Sequence, residues 1–191
     1  MNNKGFTLIE VLATIVILAV IMGIAANGVL KSMETAKIKS ERIFVDKLAT
    51  AVQSYLSING SKIDAASTKG TFEKCRIDSE ETCDDKYKTT ATLYELETIT
   101  ITTLTSNDYR TIEEKDIVNP RTKENCLLNS KDPTIRIFRD SDFVYYYYMD
   151  LRGTKTSCNI LDENAISTNL PKNVCAVISG STYTEGKCIL S

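Results

Sequence analysis

Six cysteines, Cys75, Cys83, Cys126, Cys158, Cys175 and Cys188, are the side chains of this protein best suited to covalent chemistry. None forms a C-x-x-C pair, and the chain has no histidine. Zinc sites draw on close cysteine pairs or on cysteine with histidine, so this spacing argues against a metal. A nucleophile needs a positioned base, and no Ser/His or Cys/His set can be assembled without histidine. An even number of spread cysteines points instead to disulfides and an oxidising compartment. Asp140-Ser141-Asp142 offers two carboxylates, but calcium takes six to eight oxygens and a lone turn supplies too few. There is no G-x-S-x-G and no Gly-rich phosphate loop. The expected catalytic residues, cofactors and metals are therefore none. One ionisable group stands out: Glu10, a carboxylate inside an apolar stretch.

That stretch divides the chain. Residues 11–26 read VLATIVILAVIMGIAA, without a charge. A helix over residues 6–30 would be roughly 37 Å long, enough to cross a bilayer core of about 30 Å. The remainder has ordinary globular composition: over the whole chain of 191 residues, 42% are apolar and 25% charged. The net charge of −2 provides no global basic field to attract nucleic acid. A secretory signal peptide would have a shorter apolar core and a clear small-residue cleavage site, and Ala25-Ala26-Asn27 is a poor one. A plain anchor would not explain Glu10, because a carboxylate in an apolar helix raises the cost of insertion.

The segment Lys4-Gly5-Phe6-Thr7-Leu8-Ile9-Glu10-Val11-Leu12 resembles the prepilin signature of type IV pilins and pseudopilins. The resemblance covers about the first 30 residues and implies several things. A prepilin peptidase would cut after Gly5. The new N-terminal residue, Phe6, would be N-methylated. Glu10 would meet the terminal amine of a neighbouring subunit during assembly. In a low-dielectric bundle both charges are desolvated, so such a pair sets register more than it adds bulk stability. The implied partners are the peptidase, other pilin or pseudopilin subunits, and an assembly ATPase acting through a membrane platform protein. The implied location is the cytoplasmic membrane, single-pass with a cytosolic N-terminus, then an extracellular filament. Many members carry a proline where this chain has Asn27, followed by Gly28; Asn-Gly is also a weak helix former. Lys31, Lys37, Lys39 and Arg42 follow the apolar segment, whereas Lys4 alone precedes it. The positive-inside rule by itself would favour the opposite topology.

The amphipathic pattern of Met33, Ala36, Phe44, Leu48, Ala51, Val52, Tyr55 and Leu56 predicts that the helix runs on. Lys37, Lys39, Glu41, Asp46 and Lys47 fill its other faces. Asn59-Gly60 is a stop signal, which outweighs the glycosylation sequon it begins with Ser61. The expected helix, about residues 7–58, has a separate-helices alternative broken at Asn27-Gly28. The expected fold is α+β: a long N-terminal helical spine packed on an antiparallel sheet. The expected divisions are a leader (1–5), a membrane-spanning and filament-core helix (6–30), its amphipathic continuation (31–58) and a head (59–191).

Within the head, residues 61–88 read as a long loop pinned by Cys75 and Cys83. A short helix is expected around 93–97 and a strand at 99–102. Residues 116–122, ahead of Cys126, weakly resemble a pseudopilin loop. TIRIFR at 134–139 and FVYYYYMDL at 143–151 flank an Asp-Ser-Asp turn, predicting a hairpin. Tyr145, Tyr146, Tyr147 and Tyr148 would alternate, two against the spine and two outward. A second hairpin is expected from 174–179 and 183–190 through Gly180. The preferred bridges are Cys75–Cys83, Cys126–Cys158 and Cys175–Cys188, among the fifteen pairings open to six cysteines. These features favour a structural filament subunit. The alternatives are a minor or tip pilin with an adhesive or DNA-uptake (competence) role and, less favoured, a membrane-anchored exported enzyme. DNA contact needs clustered Lys and Arg, and no single element carries them.

Overall fold

The computed structural model describes residues 7–63, 65–76, 83–106, 111–127, 133–152, 160 and 165–191. Helix α1, Leu8–Asn59, has no break at Asn27-Gly28, so a weak propensity there does not end it. The chain divides into two compact units, residues 1–39 and 40–191. The described part of the first is helix from Leu8 onward, apolar all round from Val11 to Ala26 and without a buried side chain.

The second unit begins within α1. Here the helix buries Glu41, Phe44, Val45, Leu48, Ala51, Val52, Tyr55 and Leu56, a stripe at spacings of three and four. It covers one face of an antiparallel sheet whose order is β1-β2-β4-β5-β6, with β3 paired to β4. The strands are β1 (Ala65–Cys75), β2 (Lys88–Leu96), β3 (Ile99–Thr100), β4 (Thr134–Asp140), β5 (Tyr145–Asp150) and β6 (Ile166–Thr168). Short helix α2, Ile101–Thr105, follows β3 and is closed by a Thr100/Thr103 capping box. Leu96, Ile135, Ile137, Tyr147 and Met149 meet the helix stripe in one core.

The opposite face is covered by the C-terminal segment: helix α3 (Lys172–Cys175) and the hairpin of β7 (Ser181–Thr184) and β8 (Lys187–Leu190). A second core joins Phe72, Leu93, Phe138, Tyr146 and Tyr148 to Val174, Ile178 and Leu190. The tyrosines do alternate, but Tyr146 and Tyr148 are buried, not outward. Burial pushes the Tyr146 hydroxyl up, and Asp140 beside it pushes it further, so it stays neutral and donates.

Several local expectations need correction. Residues 61–88 are not one loop, because β1 pairs along β2 with two register shifts. Its Ser, Thr and Gly residues give no alternation, and the cross-strand ladder supplies the order instead. Residues 93–96 lie in β2, not a helix. The strand expected at 99–102 is only β3, after which the chain turns into α2. Residues 172–175 are helical, and the last hairpin turns at Glu185-Gly186, where φ is +51° and +77°. The described sequon residue Asn59 is 2% exposed, which leaves the Asn-Gly as a helix terminator. A side chain at Gly60 would require the Tyr145 ring to shift, because a Cβ would stand 2.7 Å from it.

Disulfides join Cys75 to Cys83 and Cys175 to Cys188. Cys126 is also disulfide-bonded, and its expected partner Cys158 lies outside the described residues. The Cys175–Cys188 bridge ties α3 to β8 over the second core. Cys188→Ser is expected to cost about 2–4 kcal/mol, read as a lower midpoint of chemical unfolding. Reducing agent should bring the unmodified chain toward the variant.

Cross-strand charge also staples the sheet. Glu95 of β2 accepts from Arg136 Nε of β4 at 2.8 Å and pairs with Lys69 Nζ of β1 at 2.7 Å. Burial pushes its carboxyl up, but the bonds from Arg136 and Lys69, with their charges, outweigh burial and hold it below the usual carboxylate range. A depressed folded-state value contributes stability that is complete above the unfolded carboxylate range. That stability is lost as pH falls through the folded value. The thermal midpoint should therefore fall between neutral and strongly acidic pH, and Glu95→Gln should flatten part of that fall.

Candidate assembly site

At the start of α1 the sequence Thr7-Leu8-Ile9-Glu10 forms a reciprocal cap. The Thr7 N–H and Oγ1 each donate to Glu10 Oε2 at 3.0 Å, and the Glu10 N–H donates to Thr7 Oγ1 at 3.4 Å. This is the capping box, which satisfies helix N–H groups that have no partner within the helix. The S/T-x-x-E spacing before an apolar run carries that signal in the sequence. One carboxylate oxygen is thus engaged within the chain. The other, Oε1, has no hydrogen-bond partner among the described residues.

Around this carboxylate the helix is apolar on every side. Leu8, Ile9, Ile15, Ile17, Ile21, Ile24 and Leu30 are all exposed, with Leu8 at 88%. An all-round apolar helix is one that is buried, in a membrane, in a protein core or against partner chains. By length and composition this helix is able to cross a membrane.

Residues 1–26 match the prokaryotic N-terminal methylation motif. The chain begins with a type IV pilin/prepilin signal motif. The chain matches no curated protein and no solved structure. The prepilin motif implies processing by a prepilin peptidase and polymerisation with pilin subunits. Together with the apolar helix it fits a membrane-anchored, pilin-like precursor. The long helix followed by an antiparallel sheet is the pilin-like α+β layout. Gly5 and Phe6 lie outside the described residues; Thr7 and Glu10 are the described part of the motif. The six cysteines belong to the head, remote in sequence from Glu10.

Two buried acidic groups of the second unit, Glu41 and Asp140, have partners that the sequence does not reveal. Glu41 sits on the buried stripe, not on a solvated face: it is 0% exposed and receives Arg121 Nε at 2.8 Å and Nη2 at 3.4 Å. The Asn119-Pro120-Arg121 turn presents that arginine. Buried Asn119 accepts the Arg121 and Thr122 N–H groups on Oδ1. Asp140, also 0% exposed, accepts Lys74 Nζ at 2.8 Å and the Tyr146 hydroxyl at 3.1 Å on Oδ2. Its Oδ1 takes the N–H groups of Asp142 and Val144, both at 2.9 Å. The Asp-x-Asp carboxylates are thus committed to closing a turn and holding Lys74. Burial draws the Lys74 ammonium down, but its bonds to Asp140 and Asp142 outweigh burial and hold it above the usual lysine range.

Proposed function

We propose that this chain is the precursor of a structural subunit of a type IV pilus or pseudopilus. A prepilin peptidase cuts after Gly5, Phe6 becomes the N-methylated terminus, and the mature helix polymerises with other subunits. The observation that carries the reading is Glu10 on the exposed apolar helix, with one oxygen held by Thr7 and the other without a partner among the described residues. In an apolar bundle an open carboxylate oxygen demands a cation. The α-amine created at Phe6 of a neighbouring subunit is a cation made by the same processing step. The amine therefore exists only once the leader is gone, which makes assembly conditional on cleavage.

The working divisions are leader 1–5, membrane and filament-core helix 6–30, amphipathic continuation 31–58 and head 59–191. The head lies outside the cytosol, and the N-terminus starts inside it. The Cys75–Cys83 and Cys175–Cys188 bridges support that orientation against the lysines and arginine that follow the apolar segment. An assembly ATPase working through a membrane platform protein would lift subunits out of the bilayer. The test is mechanical shearing of cells that express the chain with its peptidase and platform. Shed filaments should contain the chain and label along their length with antibody to the head. Chain retained wholly in the membrane fraction, despite an active platform, would oppose the reading.

A further inference from the structure

The β4–β5 turn closes through a left-handed residue that is a phenylalanine, and most of its side chain is left exposed. Phe143 has φ +63°, a left-handed backbone rarely taken by bulky residues, and is 66% exposed. Val144 beside it is 42% exposed. The turn is held from several sides. Asp140 Oδ1 takes the N–H groups on either side of Phe143, and the Phe143 N–H donates to the Asp140 carbonyl at 3.1 Å. Ser141 Oγ accepts the Thr92 N–H at 3.3 Å, and Lys74 bridges Asp140 and Asp142. Next to it, the Arg139 guanidinium lies 4.7 Å from the Phe143 ring centre and 5.8 Å from that of Tyr94. Arg139 has no ion pair among the described residues, and its buried Nε has no hydrogen-bond partner. Its neighbour Asp140 is turned away to Lys74. An arginine fork held against rings, with no carboxylate of its own, is prepared to receive one.

We propose that this turn is a contact between neighbouring copies of the chain, with Phe143 inserted into the neighbour and Arg139 holding one of the neighbour's carboxylates. The proposal rests on the filament reading. Two arguments select a second copy as occupant. The patch is one turn, far below the roughly 1,200 Å² that a free-standing specific interface buries. It suits a secondary contact whose partner is already held close by helix polymerisation, where effective concentration replaces area. The charge is also complementary: the chain is net acidic at −2, it exposes carboxylates at Glu97, Glu124 and Glu185 that have no ion pair among the described residues, and Arg139 has none there either. Tyrosine, phenylalanine and arginine are moreover the residue types that carry binding energy at interfaces.

The test places p-benzoylphenylalanine at position 143 of the full-length chain and irradiates intact sheared filaments. The expected product is a covalent chain–chain dimer. Arg139→Ala should lower its yield about fivefold, and Arg139→Lys should restore only part of it. Filaments that form normally but yield no dimer, or yield adducts only with another protein or with lipid, would overturn this contact alone. An unmodified chain that makes no filaments would overturn the filament reading and this contact together.

Discussion

Glu10→Ala leaves the subunit in the membrane and removes it from filaments, with sheared yield falling about tenfold or more. Insertion survives because the substitution makes an already apolar segment more apolar. Assembly fails because the new Phe6 amine loses the carboxylate that would neutralise it between subunits. Glu10→Gln separates the two roles of this side chain. Glutamine keeps an acceptor for the Thr7 N–H and serves the capping box as glutamate does. It cannot pair with an ammonium as a charge. If the carboxylate acts as a counter-ion between subunits, Gln fails as badly as Ala. If it serves only the helix cap, Gln assembles normally and the register role is lost. Membrane fractionation beside sheared-filament yield reads both variants.

Arg121→Met lowers the stability of the head by about 3–5 kcal/mol, a large share of the 5–15 kcal/mol typical of a domain. The cause is not the pair's own strength. Glu41 is fully buried, and removing the guanidinium strands its carboxylate in an apolar stripe between Ile38 and Val45. Changing both ends, Glu41→Leu with Arg121→Met, should recover most of the loss, because a buried pair is often replaceable by apolar groups. Thermal unfolding of the full chain in detergent, followed through the near-ultraviolet dichroism of its tyrosines, measures the cycle. A single variant as stable as the unmodified chain would show that Glu41 finds water or another cation.

The features legible in the sequence are those whose cause is local. Helix α1 ends at Asn59 because the apolar stripe keeps its period until an Asn-Gly turn. The β4–β5 hairpin is legible because TIRIFR and YYYYM alternate around an aspartate turn. The prepilin motif is legible because K-G-F-T-L-I-E is contiguous. What sequence reading missed depends on partners far along the chain. Strand β1 has too few large apolar residues to alternate, and its order comes from pairing with β2. Residues 93–96 follow no clear period and are set by pairing β2 with both β1 and β4. Residues 174–179 pass for a strand by composition, but Val174 and Cys175 end the short helix α3, and Cys175 is bridged to Cys188. Tyr146 and Tyr148 look outward until the C-terminal segment covers them. Glu41 reads as surface because Arg121 is 80 residues away. At the assembly site, Glu10 is visible as an anomaly, but its capping bonds to Thr7 and its second oxygen's lack of a partner among the described residues appear only in three dimensions.

On the proposed reading, cleavage after Gly5 creates the terminus through which the chain polymerises. Intact mass together with N-terminal sequencing of the chain recovered from sheared filaments checks that terminus. The expected chain has lost Met1 to Gly5 and begins at Phe6 carrying one added methyl group. Filaments built from chain that still begins at Met1, or cut at a site other than the Gly5–Phe6 bond, would contradict it.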